Sequence, residues 1–366
     1  MRNVRRLNQR THRATGCVFV LAIACASAAH AQPLARVSVD SVAGVDLFRG
    51  QGTNDRPDAS LDIAASLRLG DGWLVYVRPW FFKSATSSEW DKEIYQAALQ
   101  YQRAGRVATR IDVGYIASPI GLGMLDMRAD VNPTIRPHLS YFVPLMPFDR
   151  AAPLLGPIAA SYPLGGQLTL STPRWDARGA VVNSAPTRRF ALNAEYPNPR
   201  PTPVVIAGGG VTPRPGLRVG AAVAAGRYAT REEVIEPAGD SRRLTMWSFE
   251  GEYAFGYTKI AGEITRESFD RGIRVDTAGT WFVQGTQTLS PRWFAAGRYE
   301  GISAPPFGTA ITSGTRLAYK TAEASAGFRV SPEFTLRGSW FASKWYTSAE
   351  FARQAGVSLV WSRRWW

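Results

Sequence analysis

The sequence predicts an all-β protein, a transmembrane antiparallel β-barrel of about sixteen strands. Three observations favour this fold: apolar and polar residues alternate along most of the chain, most alternating segments are 10 to 13 residues long, and the links between segments are short and long in turn. Strict alternation is typical of a strand with two unlike faces. Tilted membrane strands need about 9–11 residues, whereas strands of soluble proteins average about 5–6. The lengths therefore favour a barrel that crosses a membrane.

Residues 1–31 are predicted to be a secretory signal peptide, which leaves residues 32–366 as the barrel. Five arginines precede the apolar run CVFVLAIACASAA, and AHA at 29–31 offers small residues at a cleavage site. That order is typical of a cleaved signal, with a short N-terminal anchor helix as the alternative. Both cysteines, Cys17 and Cys25, lie in this segment, so the mature chain is expected to lack disulfides and cysteine-ligated metals.

Sixteen alternating segments follow the signal. They are predicted near 35–48, 58–69, 73–83, 92–102, 107–117, 156–163, 166–175, 202–212, 217–228, 244–254, 257–268, 277–289, 293–303, 315–329, 334–346 and 350–362. The even-numbered segments before the last are followed by short links (GDG, RAGR, LGG, PRPG, FG, SPR and SPE), and the odd-numbered ones by long polar links such as RGQGTNDRPD. This asymmetry is typical of an outer-membrane barrel and not of a soluble sandwich. The stretch WDARGAVVNSAPTRRFALNAEY could hide a further hairpin or form a surface loop, so fourteen and eighteen strands remain alternatives.

The chain end VSLVWSRRWW explains how such a barrel would close. A lipid-exposed sheet edge would leave unpaired backbone groups in hydrocarbon, so the last strand must pair with the first. We expect Trp361, Trp365 and Trp366 to anchor this strand at the membrane interface. A girdle of further aromatic residues is predicted at strand ends: Trp73, Tyr95, Tyr101, Trp281, Trp293, Tyr299 and again Trp361. A final strand ending in an aromatic residue also resembles the signal that the outer-membrane assembly machinery recognises.

A long segment after the fifth strand, residues 118–155, lacks alternation and is rich in proline. Loops of this length are usually functional or disordered, and its many apolar residues argue against disorder. Here the chain resembles a general porin, a family in which the loop after the fifth strand folds back and narrows the channel. The stretch GYIASPIGLG at 114–123 more specifically resembles the phosphate-selective porin O/P type. The resemblance implies a homotrimer and small hydrophilic solutes as partners, besides the lipid bilayer.

Sixteen strands leave a water-filled lumen. The alternation places Arg68 and Glu252 on the inner face, and the residues that we expect to line or narrow the pore are Arg78, Arg110, Asp112, Arg128, Arg136, Arg150, Arg218, Arg298 and Arg337. Rings of arginine favour anions. Alternatively, these arginines are ion-paired braces that hold the long loop to the wall.

Other chemistries have weaker support. His138 is the only histidine of the mature chain, which argues against a zinc site. A barrel enzyme acting on lipids, with His138 and Ser140 at the outer rim, is one alternative, and a plugged structural or adhesion barrel is another. The formal charge falls from +14 to +9 without the signal, but the arginines are spread over every strand, which disfavours nucleic acid. The sequence therefore predicts a porin of the Gram-negative outer membrane: a passive, anion-preferring channel, with no enzymatic step and no cofactor.

Overall fold

Sixteen antiparallel strands form one closed barrel. The computed structural model describes residues 36–50, 56–122, 128–139, 163–182, 203–227, 243–270, 275–304, 317–345 and 348–365. The predicted signal peptide, Arg150 and Trp366 lie outside these residues. The strands are β1 (Arg36–Gly50), β2 (Asp58–Gly70), β3 (Trp73–Lys83), β4 (Asp91–Arg103), β5 (Ala108–Tyr115), β6 (Leu164–Ser171), β7 (Trp175–Val182), β8 (Val204–Arg214), β9 (Leu217–Arg227), β10 (Arg243–Phe255), β11 (Thr258–Asp270), β12 (Val275–Thr288), β13 (Trp293–Ala304), β14 (Leu317–Arg329), β15 (Phe334–Trp345) and β16 (Ala352–Arg364).

Each strand pairs with its neighbours in sequence, and β1 closes the barrel against β16. At this seam Val45 lies opposite Leu359 and Ala43 opposite Trp361. Closure pairs every ladder and leaves no open edge, as a sheet in hydrocarbon requires. Among the described residues no helix is long and apolar enough to span a membrane. The predicted barrel and its strand number are thus confirmed.

The two ends of the barrel differ. Short turns join β2 to β3, β4 to β5 and so on to β14 and β15, whereas the connections that follow odd-numbered strands meet at the opposite end. We call these the short-turn end and the long-loop end. The start of β1 and the end of β16 both lie at the short-turn end. The longest connection, residues 116–163, follows β5, where the sequence predicts the inward loop.

The prediction was wrong for the turn between the sixth and seventh strands, and the predicted segment 156–163 lies outside the described residues except for Pro163. The residues LGG, predicted as a turn, begin β6, and the turn itself is formed by Thr172–Arg174. The Thr172 hydroxyl accepts hydrogen bonds from the backbone N–H groups of Arg174 and Trp175, at 3.2 and 3.0 Å, which makes this the turn. Glycines at 165 and 166 lack side chains and so hide the alternation of β6. The ambiguous stretch WDARGAVV supplies β7.

The two faces of the wall are chemically distinct. Along β10, Leu244, Met246 and Ser248 are buried on the inner face, whereas Trp247 and Phe249 are exposed on the outer face. At the long-loop end the inner face carries a buried apolar cluster that includes Ile116, Ile120, Val182, Val204, Ile206, Leu244, Met246, Phe269, Ile302 and Tyr319. Aromatic pairs lie on the outer face of the short-turn end, among them Trp73–Tyr101, Trp293–Phe328 and Trp361–Trp365.

Tyr95 departs from the predicted outer girdle. Arg78 pairs with Gln96 but Pro79 pairs with Ile94, so Tyr95 is an extra residue in a β-bulge of β4. The bulge turns Tyr95 inward, where it is 4% exposed and stacks on Trp80 at 4.9 Å. Its predicted place on the same face as Tyr101 was wrong because an alternating pattern does not reveal a bulge.

Candidate functional site

The described parts of the long connection, residues 116–122 and 128–139, lie inside the barrel, and we call them the inward loop. Ile120, Ile135 and His138 are buried, with His138 fully inaccessible. Leu122 packs with Ala261 and Phe282 of the inner wall. This part of the predicted 118–155 loop therefore folds into the lumen. Its polar contacts lie on the wall from β11 through β16 to β1, and Ile116 and Ile120 join the apolar cluster at the long-loop end.

Three glutamates of the wall accept hydrogen bonds from the backbone of the inward loop. The N–H of Leu122 donates to Glu263 at 2.6 Å, that of Ile135 to Glu323 at 2.7 Å, and that of Leu139 to Glu300 at 2.9 Å. Gly121 makes the first contact feasible, because it adopts a φ of +91° and a Cβ there would lie 2.7 Å from Glu263 Oε1. The wall thus satisfies loop N–H groups that burial would otherwise leave unpaired.

Two arginines of the wall bind the carbonyl groups of the same loop. Arg337 donates from Nη1 to the carbonyls of Asn132 and Thr134, both at 2.7 Å, and from Nη2 to Ser358 at 2.8 Å. Arg298 donates to the carbonyls of Arg136 and Pro137. It also forms ion pairs with Glu300 at 3.1 Å and Glu323 at 3.3 Å. Both arginines are buried, so they hold the loop and present little charge to solvent.

The sequence NPTIRPH shapes this part of the loop. Asn132 Oδ1 accepts hydrogen bonds from the N–H and the hydroxyl of Thr134, and Asn132 Nδ2 donates to the carbonyl of Arg136 at 3.0 Å. Arg136 lies over the ring of Phe341 at 4.5 Å and over that of Phe48 at 5.2 Å, and it donates to Gln354. Prolines at 133 and 137 restrict the backbone further. The result is a compact turn fixed on both sides.

The opposite side of the lumen carries a row of ion pairs, which we call the ion-pair wall: Asp62, Arg78, Arg110, Asp112, Asp176, Arg178, Arg218 and Glu250. Arg78 makes a two-nitrogen contact with Asp62, the shorter N–O distance being 2.6 Å. Arg218 bridges Asp176 at 2.9 Å and Glu250 at 2.7 Å. The Arg110 side chain pairs with Asp112 at 2.8 Å yet remains 51% exposed. Partly exposed charges on this wall indicate contact with water.

The predicted pore residues therefore form two groups. Arg298 and Arg337 hold the inward loop, whereas Arg78, Arg110, Asp112 and Arg218 belong to the ion-pair wall. Within the loop, Arg128 pairs with Asp130 at 2.9 Å and Arg136 packs on the two phenylalanines. Sequence reasoning missed the loop-binding glutamates 263, 300 and 323, although alternation with Arg298 marked Glu300 as inward. It missed Asp176 and Arg178 because β7 was not assigned.

At the seam, Trp365 joins the last strand of the barrel to the first. Its backbone N–H donates to the Val39 carbonyl at 2.8 Å, and its indole N–H donates to the Ser41 hydroxyl at 3.1 Å. Its ring meets that of Trp361 edge-on, with centroids 6.0 Å apart. Both tryptophans lie at the short-turn end of the outer face, where an interfacial anchor belongs.

His138 lies in the lumen and not at a rim. Its ring is 4.2 Å from that of Phe282, and its Nδ1 is 3.5 Å from Glu300. The enzymatic alternative requires His138 at the outer rim, but the structure places His138 inside the barrel. Ser140 lies outside the described residues. In the part of the chain that the structure describes, no three His, Cys, Asp or Glu residues cluster in a way that could hold a metal ion.

Comparison with known proteins identifies a fold. No family model and no curated protein matches the chain. Among solved structures it is similar to OmpT, an outer membrane protein of Vibrio cholerae in its trimer form, with a TM-score of 0.55 and 12% identity over 90% of this chain and 100% of that one. It is also similar to the outer membrane channel DcaP of Acinetobacter baumannii, with a TM-score of 0.56 and 11% identity over 90% of this chain and 97% of that one. The shared feature is the outer-membrane β-barrel fold.

Proposed function

We propose that the protein is an outer-membrane porin, a passive water-filled channel for small hydrophilic solutes. The observation that carries this proposal is the division of the lumen. The polar contacts that hold the inward loop lie on the wall from β11 through β16 to β1, while the ion-pair wall on β2–β10 keeps partly exposed charges. A barrel of sixteen strands is wide enough to leave an aqueous channel beside such a loop. Solutes would pass between the loop and the ion-pair wall, with no chemical step and no cofactor.

The predicted anion preference needs a different origin from the one that the sequence indicates. On the ion-pair wall four arginines face four carboxylates, so their charges balance. At the short-turn mouth, however, Arg68 and Arg329 are exposed on inner-face positions and form no ion pair with any described residue. We place the anion preference at this mouth, where uncompensated arginine attracts anions.

A general porin is favoured over a phosphate-selective one. Of the five lysines in the mature chain, only Lys259 lies on the inner face, and it pairs with Glu252 at 3.0 Å. The proposal includes export by the 1–31 signal, insertion by the outer-membrane assembly machinery and assembly as a homotrimer. The trimer form of the structurally similar OmpT supports the last of these.

A plugged barrel is the second candidate, because one observation favours it. The apolar cluster at the long-loop end is tightly buried, with Val204 and Phe269 at 0% exposure. A barrel whose lumen is filled across its whole cross-section at that end would insert into membranes without conducting ions.

Swelling of proteoliposomes separates these functions. Liposomes that hold the refolded mature protein should swell in arabinose quickly, in sucrose more slowly and in a large oligosaccharide hardly at all, because a narrowed pore sieves by size. Protein-free liposomes provide the baseline. Swelling no faster than this baseline, with protein that resists protease as a folded barrel does, would refute the porin.

A further inference from the structure

A stack of planar side chains lies on β3 and β4, and we call it the aromatic column: Arg78, Tyr95, Trp80 and Phe82. The Trp80 ring contacts two other rings. Its centroid lies 4.9 Å from that of Tyr95, with the planes 19° apart, and 5.3 Å from that of Phe82, with the planes 4° apart. The Arg78 guanidinium lies 5.6 Å from the Tyr95 ring. The contacts therefore run in order from Arg78 to Phe82.

The aromatic column faces the lumen. Trp80 and Phe82 lie two and four residues beyond Arg78 on β3, so the three side chains share one face of the strand. Arg78 pairs with Asp62 of the ion-pair wall, and Trp80 lies directly opposite Asp62 in the register. The bulge that turns Tyr95 inward completes the stack. The column therefore extends the ion-pair wall toward the long-loop end, where Phe82 is its last member.

The surroundings of Phe82 leave room for a ring. Phe82 is partly exposed, and in the part of the chain that the structure describes its one stacking partner is Trp80. Ser60 lies directly opposite Phe82, and Gly44 lies opposite Ser60. Ala129 of the inward loop lies over Gly44, since a Cβ at Gly44 would be 3.7 Å from that of Ala129. Small residues thus separate Phe82 from the inward loop.

Two carboxylates lie beside the Phe82 ring. Asp91 lies directly opposite Phe82, at a distance of about 5 Å between Cβ atoms, and Asp58 lies diagonally from it, at about 7–8 Å. Asp58 accepts a hydrogen bond from the N–H of Ala85 at 2.6 Å. Neither aspartate forms an ion pair with a described residue. This part of the lumen is therefore negatively charged.

The basic residues close to this place do not neutralise the two aspartates. Lys83 follows Phe82 on β3 and therefore lies on the outer face, and Lys92 lies opposite Phe81 on the same outer face. Arg56 precedes β2, is exposed and forms no ion pair with a described residue. Arg128 of the inward loop already pairs with a carboxylate of its own loop.

The other end of the column shows which ligand such a place suits. There Arg78, a planar cation, lies against the Tyr95 ring and is held by the carboxylate of Asp62. The Phe82 end offers the same two partners, an aromatic ring and carboxylates. Aromatic rings attract cations through their electron-rich faces, and parallel rings stack on one another. A ligand that is both planar and positively charged uses both attractions.

We propose that the Phe82 end of the aromatic column binds planar ring cations and is their first contact when they enter from the long-loop end. The ring of the solute stacks on Phe82, and its charge is attracted by Asp58 and Asp91. A planar anion would stack in the same way, but both carboxylates would repel it. The role in entry rests on the proposed function, whereas the binding requires only the folded barrel. The anion preference belongs to the opposite mouth, so the two ends of the pore select different solutes.

Titration calorimetry of the refolded mature protein in neutral detergent tests this proposal. The probe is nicotinamide methylated at its ring nitrogen, a planar ring with a fixed positive charge. Nicotinamide supplies the same ring without the charge, and tetramethylammonium supplies the charge without a ring. We expect the methylated nicotinamide to bind about tenfold more tightly than either, because it alone makes both kinds of contact.

Two pairs of variants locate the site. Phe82→Leu should lower the affinity for the probe about fivefold, because leucine has no ring face. Phe81→Leu makes the same change one residue away on the outer face and should bind as the wild type does. Asp91→Asn should lower the affinity about threefold, and Asp71→Asn, at an exposed position in the turn between β2 and β3, should not. Phe82→Tyr keeps the ring and should retain binding.

Three results would overturn the proposal: equal affinity for nicotinamide and its methylated form, equal affinity for tetramethylammonium and the probe, or equal binding by Phe82→Leu and Phe81→Leu. The exposed position of Asp91 makes its variant a test that does not depend on packing. Failure of the porin proposal is recognised separately. A barrel that binds the probe as expected but does not swell liposomes would refute the channel and keep this site. A barrel that conducts but does not distinguish the three ligands would refute this site alone.

Discussion

At the scale of single residues, the charged side chains of the lumen fall into two groups: those that hold the inward loop in place and those that are exposed to solutes. Arg298 and Arg337 are almost completely buried, and both donate hydrogen bonds to loop carbonyls. Arg298 also forms ion pairs with two glutamates. Arg110 remains half exposed, and Arg68 and Arg329 are exposed at the short-turn mouth. Composition alone does not distinguish these roles, because every one of these residues is an inward arginine on an alternating strand.

The mouth arginines should set ion selectivity. In Arg68→Glu/Arg329→Glu we expect the chloride-to-potassium permeability ratio to fall from above one to below one, because two uncompensated positive charges become negative. The measurement is the reversal potential across a bilayer under a salt gradient. Arg103→Glu/Arg174→Glu makes the same change of charge outside the lumen, and salt should screen most of its effect. An unchanged ratio in the first variant would place selectivity elsewhere.

At the scale of elements, the inward loop depends on complementary donors and acceptors. The wall supplies carboxylates to the loop N–H groups and guanidinium groups to its carbonyls, over sequence separations of 141 to 205 residues. Such partners cannot be inferred from local pattern, which explains why the sequence predicts an inward loop but not the glutamates that bind it. The alternation does place Arg298 and Arg337 inside, and the structure adds what they contact.

Replacing Arg337, which holds the inward loop, should destabilise the barrel and make the loop more mobile. We expect Arg337→Met to lower the free energy of unfolding by about 2–4 kcal/mol, because the carbonyls of Asn132 and Thr134 lose a buried donor. Urea unfolding of the refolded barrel measures this change. Open-channel current noise should rise as well, since the loop gains freedom inside the pore.

Arg128→Met is the matched control, because among the described residues the ion pair of Arg128 is with Asp130 of the same loop. It should change stability by about 1 kcal/mol or less, as partly exposed ion pairs usually do. Equal effects of the two substitutions on stability and noise would contradict the bracing role of Arg337.

Sequence pattern succeeds for elements with two unlike faces and fails elsewhere. The terminal strand β16 is predictable because Val357, Leu359 and Trp361 alternate with Ser358 and Val360. Strand β6 is not, because glycines interrupt its pattern. The bulge at Tyr95 adds one residue to β4 and inverts the side chains on one side of it, and nothing in the local composition marks the insertion.

At the scale of the whole molecule, closure explains most of what the sequence reveals. A barrel in hydrocarbon must pair every backbone group and keep one face apolar, so alternation, strand length and the order of short and long links all follow from one constraint. Function is less constrained, because an open pore and a plugged barrel obey the same rule. What separates them is the space left beside the inward loop.

Single-channel recording of the refolded mature protein in a planar bilayer tests the central claim most directly. An open porin with a loop against one wall should give discrete steps of nanosiemens size, together with an anion-biased reversal potential under a salt gradient. Protein that is folded and inserted but gives no steps at any voltage would contradict the porin and leave the plugged barrel.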